Sequence, residues 1–266
     1  MENQPLVSIC VPAYNAAATI GDTIQSALDQ VYENIEVVVV NDCSRDNTGE
    51  VVAGFTDARV RLVENEHNLG INANWQKTIL EGRGEYVILL GHDDMLLPPC
   101  VERLVDVFSR NPRVGMIGFR AKVVPHGNVT WRPEYGEISP ERLKDSLILF
   151  TNITPPSEIM YRNGPVKKVG GYDKGYNFCP EVTLAMKLAL DGWYSIYLDE
   201  TLGVRSSYPD RVTAVVSLLV PLKDKLKFIR DYRRYYTATA VVRGYLSVLK
   251  NTLRSYIRKL RRSITR

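Results

Sequence analysis

Asp42, Asp93 and Asp94 each stand just past a short apolar run. Side by side, the carboxylates of Asp93 and Asp94 repel, and burial would raise their pKa values unless a cation or donor compensates. A divalent metal does this. Mg²⁺ or Mn²⁺ is commonly held by one or two carboxylates, with phosphate oxygens and water completing the shell, so the pair suits a nucleoside diphosphate. Taken alone, the pair suits a turn or the cap of the helix that follows equally well. Asp42, followed by Ser44, Asp46 and Thr48, has the make-up of a turn and cap, and equally of a carboxylate accepting hydrogen bonds from a base or ribose. Neither GxGxxG nor GxxxxGK followed by Ser or Thr occurs, which leaves phosphate handling to a metal.

These residues matter because of what must position them. Apolar runs at 6–11, 35–40, 59–63 and 85–90 predict strands, and 16–28, 47–55 and 72–81 predict the helices between them. Such alternation specifies an α/β layer with a mostly parallel, Rossmann-like sheet flanked by helices. In such a sheet ligands bind beyond the carboxyl ends of the strands, and there Asp42, Asp93 and Asp94 would converge on one edge. Pro12 is expected to stop the first strand. Downstream, the pattern predicts a helix near 98–108, one or two strands over 114–124, a turn at His126-Gly127-Asn128, a helix over 140–150 and a strand over 157–162. A helix over 181–190 and a returning strand over 195–198 follow.

Composition narrows the class. The 266 residues are 45% hydrophobic and 24% charged, with 18 Gly and 14 Pro, which excludes collagenous and wholly disordered chains. Residues 1–220 hold 20 basic and 28 acidic side chains, and residues 221–266 hold 14 and two, so an acidic body of −8 precedes a basic extension of +12. The four cysteines, Cys10, Cys43, Cys100 and Cys179, have no metal-ligand spacing, and the simplest expectation is a reduced, cytoplasmic setting. Met1 to Pro5 has no basic n-region, which argues against a secretory signal. The longest apolar run, Val212 to Leu222, is too short to cross a bilayer as a helix.

Several segments together resemble the family 2 glycosyltransferases, which have the GT-A nucleotide-diphospho-sugar transferase fold. Val7-Ser8-Ile9-Cys10-Val11-Pro12-Ala13-Tyr14-Asn15 is similar to their opening strand and loop, and Val38 to Thr48 to their strand-end nucleotide motif. Asn68-Leu69-Gly70 and Gly84 to Asp94 resemble the approach to their metal site. The resemblance implies that Asp42 binds the base and ribose and that Pro12, Tyr14 and Asn15 line the nucleotide pocket. It implies too that Asp93 and Asp94 meet Mn²⁺ or Mg²⁺ and the diphosphate. Where many members have Asp-x-Asp-Asp, this chain has Gly91-His92-Asp93-Asp94, so the first carboxylate is missing. His92 reads more readily as a loop histidine than as a ligand.

A further segment, Gly170-Gly171-Tyr172-Asp173 and then Cys179-Pro180-Glu181, resembles the one that carries the catalytic carboxylate, here Glu181. The alternative for Glu181 is a first-turn glutamate stabilised by the helix dipole. Leu202 to Tyr208 resembles a loop in which Arg205 would face the diphosphate, the alternative being a solvated surface arginine. Lys77 reads best as an exposed helix lysine. The implied activity is transfer of a sugar from a nucleotide-diphosphate sugar to an acceptor hydroxyl with inversion, in bacterial surface polysaccharide or glycolipid synthesis. Two rivals are a sugar-phosphate nucleotidyltransferase and a non-catalytic nucleotide-sugar-binding protein.

Residues 1–220 would form the transferase domain and 221–266 a helical extension. From 245 to 266, Leu246, Leu249, Leu253, Tyr256, Ile257, Leu260 and Ile264 make one helical stripe among Lys and Arg. Such a helix fits an anionic membrane surface, on the inner face of the cell membrane, or packs its stripe on the body or a second subunit. The acidic body excludes nucleic acid as the expected partner.

Overall fold

The computed structural model describes residues 4–125, 128, 134–149, 155–176, 180–207 and 219–264, with the side chains of 219–221 and 254–264 left aside. The expected turn at His126-Gly127, Cys179 and most of the Val212–Leu222 run lie outside the described residues.

Strands β1 (Val7–Ala13), β2 (Ile35–Asn41), β3 (Val60–Glu64) and β4 (Tyr86–Leu89) alternate with helices α1 (Ile20–Leu28), α2 (Thr48–Ala53) and α3 (Ile71–Glu81). After them come β5 (Met95–Leu96), α4 (Cys100–Arg110), β6 (Val114–Val124), β7 (Gly136–Ile138), α5 (Pro140–Ile148), β8 (Ile159–Arg162), α6 (Asn163–Lys168), α7 (Pro180–Leu190) and β9 (Tyr194–Ser206). Two helices end the chain, α8 (Leu219–Tyr232) and α9 (Ala238–Ile264). Strand order is β3-β2-β1-β4-β8-β6-β9-β5, with β7 paired to β9. The β3-β2-β1-β4 block and the β6–β9 pair are parallel, whereas β8 runs antiparallel between β4 and β6.

The apolar runs are continuous because both sheet faces are covered, and alternate residues of one strand serve opposite layers. Val7, Ile9 and Val11 of β1 pack with Ile20 and Ile24 of α1 and Leu104 and Phe108 of α4. Cys10 points the other way, with Val38 and Val40, into a layer built by Ile79 of α3, Leu147 of α5 and Leu184 and Leu188 of α7. A smaller cluster of Ile148, Ile229 and Val248 joins α5, α8 and α9, so the basic extension packs on the body.

Three boundaries differ from expectation for physical reasons. β1 runs through Pro12, which pairs in register with Val40. The pairing of β1 with β4 has ended by then, at Cys10–Leu89, so the missing N–H is not needed on that side. α1 begins at Ile20 instead of Ala16, because Thr19 leaves helical geometry at φ −129°; the stretch before it is tied to the next loop, Ala16 and Ala17 giving their N–H groups to Thr48 Oγ1 at 2.8 Å and Asp46 Oδ2 at 3.1 Å. β9 continues to Ser206, eight residues past the expected end at 198, because β6 and β5 both pair with its second half.

Candidate functional site

The parallel block places the tips of β2, β1 and β4 side by side. Neighbouring strands lie about 4.8 Å apart, so the tips of β2 and β4 stand roughly 10 Å apart with that of β1 between them. Asp42 follows the first tip, Tyr14 and Asn15 the second, and Asp93 and Asp94 the third. The sheet thus brings these residues to one edge.

Two loops of this edge are tied across each other. The loop after β1 donates Asn15 N–H to Ser44 Oγ at 2.9 Å, and the loop after β2 answers with Arg45 N–H to Asn15 Oδ1 at 2.8 Å. The bonds from Ala16 and Ala17 to Thr48 and Asp46 complete the staple. Asn15 sits at φ 49° and Cys43 at φ 56°, left-handed values that these crossed bonds hold in place. Asp46 keeps its carboxyl below the usual range: burial opposes this, but hydrogen bonds from Thr48 Oγ1 and from the Ala17 and Thr48 N–H groups outweigh it. Tyr14 projects from the staple, 41% exposed, while Pro12 is buried within the strand.

Asp42 is 2% exposed and its carboxylate is engaged by the protein. Oδ1 accepts from Asn65 Nδ2 and from Leu69 N–H, both at 2.7 Å, and Oδ2 accepts from Gly70 N–H at 2.9 Å. Gly70 adopts φ 78°, a conformation that favours glycine and lets consecutive amides reach one carboxylate. Asn65 also accepts from Lys77 Nζ at 2.8 Å, so Lys77 is a half-buried member of this network and not the exposed lysine expected. This anchoring of residues 65–70 was not foreseen. The polar cluster Asn65, Asn68, Asn72 and Asn74, unusual within so short a span, is the signal that pointed to it.

The acidic tip after β4 is built by three other elements. Thr23 of α1 donates Oγ1 to the Asp94 carbonyl at 2.9 Å, and Ser206 of β9 donates its N–H to Asp94 Oδ1 at 3.1 Å and its Oγ to the Asp93 carbonyl. Gly91 N–H binds Ser157 Oγ at 3.0 Å, in the turn Pro156–Glu158 that precedes β8. A side-chain carbon on Gly91 would stand 3.0 Å from Asp94 Oδ2 and 3.3 Å from both Asp93 Oδ1 and Ser157 Oγ. One oxygen of each carboxylate therefore lies close over Gly91, where a side chain would crowd both. Two hard carboxylate donors so placed fit Mg²⁺ or Mn²⁺, which takes its remaining ligands from phosphate and water. Among the described residues no third His, Cys, Asp or Glu joins them. His92 turns its Nδ1 to Thr19 Oγ1 at 3.3 Å, at the start of α1.

Arg205 lies next to Ser206 on the strand that clamps this tip. Its Nε is 3.8 Å from Oε1 of Glu158, which is wholly buried. Ser157, Glu158 and Ser206 are site components that were not anticipated; Pro155-Pro156 signals the turn that carries the first two. Glu181 is in the first turn of α7 and 7% exposed. It faces the layer of Tyr161 and Tyr172, whose hydroxyls are pushed well above the ordinary tyrosine range by burial first, with the Glu181 charge adding to it.

The family model described as Glycosyl transferase family 2 matches residues 8–170, more than half of the chain. The chain belongs to glycosyltransferase family 2. Among curated proteins it is similar to an uncharacterized protein of Mycobacterium tuberculosis, 32% identical over 184 residues that cover 64% of this chain and 57% of that one. It is also similar to the succinoglycan biosynthesis protein ExoO of Rhizobium meliloti, 39% identical over 106 residues, 40% of this chain and 30% of that one. The chain thus spans little more than half the length of the first relative, and less of the second. In fold it matches S. aureus TarS 1–349 in complex with UDP-GlcNAc, with a TM-score of 0.71 and 21% identity over 84% of this chain and 64% of that one. The mannosyltransferase PcManGT of Pyrobaculum calidifontis, in complex with GDP-Man and Mn²⁺, matches with a TM-score of 0.66 and 18% identity over 94% and 70%. The family 2 chain described here therefore has the mixed α/β, GT-A-like architecture expected.

Proposed function

We propose that this chain transfers a sugar from a nucleotide-diphosphate sugar to an acceptor hydroxyl, with inversion at the anomeric carbon and with Mn²⁺ or Mg²⁺ as cofactor. The observation that carries the reading is the shared edge: Asp42, the Tyr14–Asn15 loop and the Asp93–Asp94 tip follow adjacent parallel strands, and Arg205 immediately precedes Ser206, whose N–H binds Asp94 Oδ1. That row has the reach and the order of a nucleoside followed by a diphosphate. The nucleotide sugars bound by TarS and PcManGT, and Mn²⁺ in the latter, agree with this.

On this reading the nucleoside lies against Tyr14 and Asn15, and Asp42 holds residues 65–70 as the wall of its pocket. Asp93 and Asp94 would hold the metal. Bound there, a divalent cation supplies positive charge that neutralises the diphosphate. Arg205 donates N–H groups to the departing phosphate oxygens, where negative charge grows as the glycosidic bond to the diphosphate breaks. Glu181 accepts the acceptor hydroxyl proton on its carboxylate as that oxygen attacks the opposite face of the anomeric carbon. The acceptor class is a saccharide or lipid-linked saccharide of bacterial surface polysaccharide or glycolipid.

A thermal-shift panel of nucleotide sugars with and without Mn²⁺ tests the donor step, since a ligand that binds only the native state raises apparent stability. The expected result is a metal-dependent shift with one donor, lost in Asp94→Asn. Release of pyrophosphate from a nucleoside triphosphate and a sugar phosphate would replace this reading with nucleotidyl transfer.

A further inference from the structure

The outer face of α9 has no part in that reaction, and it is apolar. One side of the helix packs on the body: Val241 and Tyr245 lie against the Ile148, Ile229 and Val248 cluster, with Val248 fully buried. On a second side, Val242, Leu246, Leu249 and Leu253 are 56–59% exposed. Their spacing of four, three and four residues sets them within about 60° of arc on a helix of 3.6 residues per turn. Half of the exposed large hydrophobics among the described residues are in this stripe. The sequence repeats the spacing through Ile257, Leu260 and Ile264, and the backbone is helical to Ile264.

Cations border the stripe on both sides. Arg243 and Lys250, both exposed, follow Val242 and Leu249 by one position and so form a parallel row. On the opposite side, Tyr245 lines a surface cleft with Lys223, Lys227 and Arg230 of α8, alongside Asp224, which is 7% exposed. Two of these cations are partly committed: Lys227 donates to the Gly175 carbonyl at 2.7 Å and lies 3.8 Å from Asp231, and Arg230 pairs with Asp231 at 3.2 Å. The surplus stands nonetheless, because residues 221–266 hold 14 basic and two acidic side chains.

We propose that this face of α9 seats in the interface of an anionic lipid bilayer, with Val242, Leu246, Leu249 and Leu253 among the acyl chains and the flanking cations among headgroup phosphates. Charge decides the occupant. A second copy would set one basic face against another, whereas an anionic lipid surface complements both rows at once. Among the described residues no helix is long and apolar enough to cross a membrane, and an amphipathic helix lies in the surface instead. The proposal rests on this surface alone and is independent of the donor chemistry.

The test is co-sedimentation of the full chain with phosphatidylglycerol–phosphatidylcholine vesicles and with phosphatidylcholine alone, which needs neither sugar nor metal. Binding to the anionic vesicles is expected, weak on the neutral ones. The triple variant Leu246→Gln, Leu249→Gln, Leu253→Gln should bind about tenfold more weakly. The charge variant Arg243→Glu, Lys250→Glu, which leaves the stripe intact, should lose a similar amount at low salt and little at high salt. Both variants alter exposed positions, so unchanged melting confirms folding. Absence of binding to anionic vesicles overturns the proposal, as does unchanged binding by the triple variant. A dimer in sedimentation velocity that only the triple variant dissociates would overturn it too, in favour of a second copy.

Discussion

Arg205 Nε stands 3.8 Å from Oε1 of Glu158, within ion-pairing range but beyond hydrogen-bonding distance, and Glu158 is wholly buried. The guanidinium thus faces a buried carboxyl on one side while 29% of the arginine side chain remains exposed. Removing one partner of a buried pair leaves the other uncompensated. Arg205→Ala should therefore lower stability by about 1–2 kcal/mol, less than a fully buried pair because the arginine is partly solvated. The double variant Arg205→Ala, Glu158→Gln should recover most of that stability in urea titration without recovering turnover. Equal recovery of both would make the pair purely structural.

One oxygen of each of the Asp93 and Asp94 carboxylates lies close over Gly91. The methyl of Gly91→Ala would meet Asp94 Oδ2 at 3.0 Å, so the carboxylates must move by a few tenths of an ångström. Turnover should fall about tenfold, with the metal concentration for half-maximal activity raised, as misplacement near reacting groups does. Metal titration of the rate checks this.

Asp42 accepts two backbone amides and one side-chain amide. Asn in its place turns one acceptor into a donor facing donors. A loss of about 2–3 kcal/mol is expected, with faster hydrogen exchange at Leu69 and Gly70. Unchanged exchange at those two amides would count against the anchoring role.

Asp46 has a folded-state pKa below its unfolded value, so its contribution to stability is present above that unfolded value and lost as pH falls through the folded one. The window is below about pH 4. In Asp46→Asn the urea midpoint should be lower at pH 7 and fall less steeply below pH 4 than in the parent chain. Parallel profiles would mean that the staple draws nothing from this carboxylate.

Glu181→Gln keeps the shape of the side chain and removes the proton acceptor. Turnover should drop by about 10²–10⁴-fold while donor affinity, read by thermal shift, is unchanged. Loss of donor binding instead would assign Glu181 to the donor pocket.

The strand-end placement of Asp42, Asp93 and Asp94 was legible because four apolar runs of strand length alternate with three helical stretches, and a parallel sheet exposes whatever follows its strands. Arg205 was legible only as a residue type in a family-like segment. What sets it beside Ser206, the residue that binds the acidic tip, is the second half of β9, where Gly203 and Val204 pair with Leu96 and Met95; short glycine-broken stretches of this kind give little local strand signal. Lys77 shows the opposite failure. Helical spacing fixed its face but not what that face meets, and it meets Asn65.

The amino-acid order alone determined the α/β class, the strand-end carboxylates and the division into an acidic body and a basic, amphipathic end, because periodicity and charge are local properties. Tertiary structure decided that Ser206 and Ser157 clamp the acidic tip, that Glu158 backs Arg205, and that Asp42 anchors residues 65–70. These are contacts between segments distant in the chain, and only the pairing of β8 and β9 into the sheet and the closing of the loops at its edge bring them within reach. The same holds for α9, whose sequence has apolar residues on more than one side and whose packing against Ile148 and Ile229 determines which of them remain exposed.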